Sequence, residues 1–107
     1  MKTYILVDAQ LSWPQRLVQA SHAAAGLAFM YRDGGITLWH DAYKTLAVLA
    51  VRNSVGLLEW DHWLEAHGVR HFSVCEPDLG DRMTAIAVHP CMCSLAEKRL
   101  AKLNLLE

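Results

Sequence analysis

In the stretch LSWPQRLVQASHAAAGL at 11 to 27, Gln15, Gln19, His22 and Gly26 fall at i, i+4, i+7 and i+11. On a helix that spacing is a single face. Two amides and an imidazole there could form one wall of a site, donating and accepting hydrogen bonds. They could equally be the wet face of a packing helix whose Ala20, Ala23, Ala24 and Leu27 turn inward. A second group lies in CEPDLGDRMT at 75 to 84, where Glu76, Asp78 and Asp81 crowd a short turn between strands. Carboxylates beside a cleft are the usual source of a general base, yet Asp78 and Gly80 also suit a turn with no chemical task.

Other clusters carry less. His89, Cys91 and Cys93 in HPCMC offer soft ligand atoms, but no second Cys-x-x-Cys completes the four ligands of a structural zinc site. His62, His67 and His71, with Trp60 and Trp63, read as the rim of a helix with one aromatic face packed. A Ser-His-Asp order, a phosphate-cradling glycine loop and a dinucleotide fingerprint are all missing. The expectation is a site without metal or cofactor.

The elements that must position these residues follow from hydrophobic pattern and capping. TYILVD at 3 to 8 reads as a buried strand, and Ser12 and Pro14 supply an N-cap and a first-turn proline. The helix so begun should run from about Pro14 to Tyr31 and stop near Asp33-Gly34-Gly35. Trp39 and His40 fit a short helical turn in the connection that follows. TLAVLAVR at 45 to 52 has the continuous apolar pattern of a central strand covered on both faces, and Asn53 or Ser54 then caps a helix ending at Gly68. VRHFSVCE at 69 to 76 and MTAIAVHP at 83 to 90 are the third and fourth strands. Only the six residues Pro77 to Arg82 join them, too few for a parallel crossover, so this pair should be antiparallel. SLAEKRLAKLNLLE, from 94 onward, reads as a closing helix with a Ser94 and Glu97 capping box. The predicted fold is α/β, a three-layer α/β/α sandwich around a four-stranded mixed sheet whose last strand is antiparallel.

At 107 residues the chain suits one domain, 1 to 107, with 53% hydrophobic and 20% charged residues. A net charge of −1 argues against a strongly basic nucleic-acid-binding domain and leaves room for a local basic patch. Three cysteines cannot all pair within one chain, which fits free thiols in a reducing compartment. The apolar runs are too short to span a bilayer, and MKTYILVD lacks a long apolar signal core, so the expectation is a cytoplasmic protein without a membrane partner. Trp13, Trp39, Trp60 and Trp63 are many tryptophans for a core of this size; a homodimer would cover some, or ordinary packing would.

Taken together, QASHAAAGL at 19 to 27, the apolar strand with its capped helix, and EPDLGDRMTAIAVHP at 76 to 90 resemble the type 2 peptidyl-tRNA hydrolase family. The resemblance covers nearly the whole chain in the same order and is nearer to a divergent branch carrying SWP before the helix. It implies the same sheet and helix layers, hydrolysis of the ester between a peptidyl group and tRNA, and no metal. Position by position it implies catalytic roles for Gln19, His22, Asp78 and Thr84, with Gln15, Arg16, Gly80 and Arg82 contacting substrate. The implied partner is peptidyl-tRNA or a related aminoacyl-tRNA ester. The family's lysine, four residues before the glutamine, falls on Gln15 here, and its Arg and Asp after the first strand fall on Asp8 and Gln10. The loop between the aspartate and the last strand is also short. A catalytically impaired member, acting as an RNA- or protein-binding module, is therefore the alternative that the same residues leave open.

Overall fold

The computed structural model describes residues 2–90 and 94–105, with the backbone alone at 94 and 95. Strands β1 (Lys2–Asp8), β2 (Thr45–Val51), β3 (His71–Glu76), β4 (Arg82–Val88) and a two-residue β5 (Asn104–Leu105) form one mixed sheet. Their order is β3-β4-β1-β2-β5. Helices α1 (Trp13–Met30), α2 (Gly34–Leu38), α3 (Ser54–Ala66) and α4 (Ser94–Leu100) connect or follow them. β1 and β2 are parallel, and β4 runs antiparallel to both β3 and β1, as its short link to β3 requires.

Side-chain alternation along β1 divides the core in two. Leu6 joins Leu49, Val51, Ile86 and Val88 against Leu57, Trp60 and Leu64 of α3 and Ala96 and Leu100 of α4. Ile5 and Val7 join Ala85 and Ala87 on the other face, under Ala23 and Leu27 of α1 and Ile36 of α2. Helices thus contribute to both core clusters. None of these helices is long and apolar enough to cross a membrane.

Local signals account for most boundaries. Ser12 Oγ accepts from the Gln15 N–H at 3.3 Å while Gln15 Oε1 accepts from the Ser12 N–H at 3.1 Å, a reciprocal capping box with Pro14 in the first turn of α1. Asn53, not Ser54, caps α3, its Oδ1 accepting from the Gly56 N–H at 2.9 Å. Beyond α3, Gly68 takes φ +66° and lets the Val69 N–H return to the Leu64 carbonyl.

Four expectations need correction. The sheet has five strands, not four, because the closing helix stops at Leu100 instead of running on. Leu103 packs on the core, and Asn104, a poor helix former, pairs with Ala50 along the open edge of β2. β2 is not the central strand: β1 is, with β4 and β2 on either side of it, and Leu46 of β2 remains 46% exposed. The α1 helix packs over β1, β3 and β4, and the short α2 does not extend the cover across β2. Finally, Gly34-Gly35 opens α2 instead of only ending α1, since Asp33 Oδ1 accepts from the Ile36 N–H at 3.0 Å. The free-thiol reading of Cys91 and Cys93 lies outside the described residues, as does the side chain on which the capping role of Ser94 depends. Trp60 is buried, Trp39 and Trp63 are half-buried, and only Trp13 is exposed, so packing accounts for most of the tryptophan.

Two carboxylate clusters tie the β3 edge to its surroundings. Asp33 accepts from Arg70 at 2.8 Å and lies 3.0 Å from Nε2 of the buried His89. Asp61 on α3 lies 2.8 Å from His71 Nε2 and accepts from Ser73 Oγ at 2.6 Å. The Asp33 carboxyl is held below its ordinary range by the Ile36 N–H first, against some burial, with help from His89 and Arg70. For Asp61, burial alone would raise the value, and the Ser73 and His71 hydrogen bonds outweigh it, so the net shift is again downward.

Two predictions follow from this packing. A depressed folded-state carboxyl contributes stability that is present above the ordinary aspartate value and lost as pH falls through the folded one. Thermal melts should therefore show stability falling below about pH 4. Asp61→Asn should lower the melting temperature at pH 6 and flatten that acid limb; an equally steep limb in the variant would contradict the assignment. The second concerns Gly26, where an added Cβ would overlap the ring of Phe72 on β3. Gly26→Ala should cost about 1–3 kcal/mol in urea unfolding through overpacking, and Phe72→Leu in the same chain should recover most of it.

Candidate functional site

Gln19 has only 4% of its surface exposed, so the polar atoms of its amide must find partners inside the protein. They do so across three elements. Oγ1 of the fully buried Thr84 on β4 donates to Gln19 Oε1 at 2.7 Å, and the Gln19 Nε2 donates to Glu76 Oε2 at the end of β3 at 3.1 Å. An ionised carboxylate can only accept, so it takes the amide NH2 and leaves the amide oxygen for the threonine. Each group donates to the next, and the chain of bonds ends on Glu76. The other Glu76 oxygen faces the Asp78 N–H at 3.4 Å, the first step of the turn that Gly80 closes in the left-handed conformation at φ +70°.

Over this relay opens a cleft of about 430 Å³. Gln15, Gln19 and His22 of α1 form one wall, Glu76 and Asp78 the other, and Val18 and Leu79 add apolar surface. It sits where β3 ends and α1 begins, beyond the carboxyl ends of the parallel strands, where clefts form in open α/β sheets.

The structure sorts the sequence-predicted residues. Gln19, His22, Asp78 and Gln15 line the cleft, and Thr84 lies beneath it, reaching it through Gln19. Gln15 holds its side-chain oxygen on the Ser12 N–H. Arg16, Arg82 and Gly80 do not line the cleft. Arg16 donates to the carbonyls of Leu11 at 2.8 Å and Ala9 at 2.6 Å, with its guanidinium over the Trp13 ring, and so braces the link from β1 to α1. Arg82 is paired with the fully buried Asp8, whose other oxygen accepts from the Gln10 N–H at 2.8 Å.

Sequence reasoning passed over Glu76 in favour of Asp78. Glu76 is the last residue of its strand, anchored by register opposite Arg82, whereas Asp78 lies two residues farther into the turn and is exposed. The signal available was position: a carboxylate that ends a strand is held by the ladder, and one in the turn is not.

Chemically, the cleft offers an anchored carboxylate, a second exposed carboxylate, an imidazole and an amide NH2. No cation lines it among the described residues. Nor, among those residues, do three or more His, Cys, Asp and Glu side chains converge on a metal-sized site.

Thr84→Val should leave the buried Gln19 oxygen unpaired at a cost of about 1–3 kcal/mol in urea unfolding. Thr84→Ser should keep most of the stability, and equal losses in both would refute the relay. The chain matches no protein-family model and no curated protein.

Proposed function

We propose that this chain is a peptidyl-tRNA hydrolase-like protein of the type 2 kind, cleaving the ester between a peptidyl or N-blocked aminoacyl group and the 3′ ribose of tRNA. On this reading it is a cytoplasmic three-layer α/β/α sandwich. One observation carries the proposal: Thr84, Gln19 and Glu76, far apart in sequence, form one hydrogen-bonded relay that ends in a cleft beside His22 and Asp78.

Such an ester is already activated, so the protein has to position water, accept its proton and stabilise the oxyanion. Glu76 is the base. It takes a proton from water as the hydroxide oxygen bonds to the ester carbonyl carbon, and the carbonyl electrons move onto oxygen. The Gln19 Nε2 has a second N–H beyond the one given to Glu76, and this donates to the oxyanion. Collapse of the tetrahedral species breaks the bond to the ribose 3′ oxygen, which leaves with the proton Glu76 had taken. His22 supports that transfer at the cleft surface, and Asp78 orients the water or the substrate at the rim. Thr84 is a positioning residue, acting only through Gln19.

A second reading is favoured by the missing cation. With Gln15 in the lysine position and capping α1, and Arg16 bound to backbone carbonyls, the chain would bind RNA or protein without turnover. In either reading a homodimer would cover exposed apolar side chains of α1 that do not line the cleft, such as Phe29 and Met30.

Incubation with an N-blocked aminoacyl-tRNA should release free tRNA. Glu76→Gln should slow release about 10²–10⁴-fold, the range for loss of a general base. Asp78→Ala should have the smaller effect. Release unaffected by Glu76→Gln would remove the assigned base, and tRNA binding without any release would establish the second reading.

A further inference from the structure

On the far side of the sheet from the cleft, α3 and α4 enclose a hollow of about 320 Å³ lined by Trp63, Lys98, Arg99 and Lys102. Three of the chain's ten lysines and arginines therefore fall within five residues and face one space. All three are exposed, and none makes an ion pair among the described residues. Three other arginines are engaged within the fold: Arg82 is paired with Asp8, Arg70 with Asp33, and Arg16 is bound to backbone.

The hollow is also ordered. The Arg99 guanidinium lies 5.0 Å from the ring centre of Trp60 and 5.1 Å from that of Trp63, and His67 stacks on Trp63 at 4.0 Å. Two indoles holding a planar guanidinium restrict its rotamers while leaving N–H donors for an oxyanion. Flanked by two flexible ammonium groups, such a fork suits phosphate oxygens. Glu97, the acidic residue of α4, does not line the space.

Position decides the size of the ligand. The cleft lies beside α1, which packs with Ile5 and Ala87, and the basic hollow lies on α3 and α4, which pack with Leu6 and Ile86 from the other side. In a molecule whose principal extents are 35 × 24 × 23 Å, a small ester in the cleft cannot reach the hollow, whereas a folded RNA can wrap the end of the sheet and touch both. We infer that Lys98, Arg99 and Lys102, ordered by Trp60 and Trp63, form a contact for the phosphate backbone of the tRNA body. The choice of tRNA rests on the function proposed above; the phosphate chemistry does not.

The test uses fluorescently labelled deacylated tRNA, which carries no ester, so binding is read apart from turnover. Anisotropy titrations over a salt series should give an affinity that falls as salt rises. Replacing both exposed lysines (Lys98→Ala, Lys102→Ala) should weaken binding about tenfold near 0.1 M salt and reduce the slope of log affinity against log salt by about 2. Arg99→Lys should weaken it too, by losing the fork while keeping the charge. Release of an N-blocked amino acid from a small adenosine ester should be the same in the double variant and the wild type.

Unchanged affinity and slope in the double variant, or no binding of tRNA by the wild type at low salt, would overturn the inference. Displacement of tRNA by polyglutamate as efficiently per charge as by unlabelled tRNA would overturn the assignment to RNA. Ester release with no tRNA effect of the lysines would remove the patch and keep the hydrolase; tRNA binding that needs the lysines, without release, would do the reverse.

Discussion

A primary amide buried in an apolar interface has to be satisfied at both ends, and Gln19 imposes that requirement on the whole α1 side of the molecule. Its oxygen has to meet Thr84 and its nitrogen Glu76, so the axial position and rotation of α1 over the sheet are both specified. Apolar contacts alone would specify less, because Ala23 and Leu27 tolerate small slides and turns along a flat alanine surface. The close seat of the helix, with Gly26 against the Phe72 ring, serves the same end: a bulkier residue there would lift the amide away from its partners.

Charge is divided as strictly as hydrogen bonding. The buried Asp8 is matched by Arg82, Asp33 by Arg70 and His89, and Asp61 by His71 and Ser73. Those pairs tie loops and helices to the sheet and leave the candidate cleft anionic. Three exposed cations, Lys98, Arg99 and Lys102, gather instead beside Trp63. A net charge close to neutral therefore conceals two surfaces of opposite sign on opposite faces of the sheet.

What was legible in the sequence was whatever depends on near neighbours. The Ser12 N-cap with Pro14, a cap at Asn53 or Ser54, the Gly68 stop and the antiparallel β3–β4 pair are all decided within a few residues. Helical spacing also placed Gln19 and His22 on one face, and both line the cleft with Asp78. Less legible was anything set by competition across the fold. The apolar run of β2 reads as central, but burial depends on which strands α1 and α2 happen to cover. Leu103 and Asn104 continue a helical pattern, and an open strand edge draws them out of it. Arg16 and Arg82 read as substrate-facing cations because a sequence does not show that buried carbonyls and Asp8 claim them first. Glu76 was named beside Asp78 but not singled out, because its advantage lies in strand register, which is a property of the pair and not of either residue.

The two bonds of the Gln19 relay join residues 57 and 65 positions apart along the chain. Closing loops of that length is entropically costly and gains nothing until the partners on both sides are in place. The cleft is consequently a late product of assembly: it exists only after β3 and β4 have paired and α1 has docked on them. By the same reasoning it is the part most sensitive to partial opening. A fluctuation that lifts α1 while leaving the strands hydrogen-bonded would dissolve the site and keep the sheet, so the site's persistence measures how firmly one helix is seated.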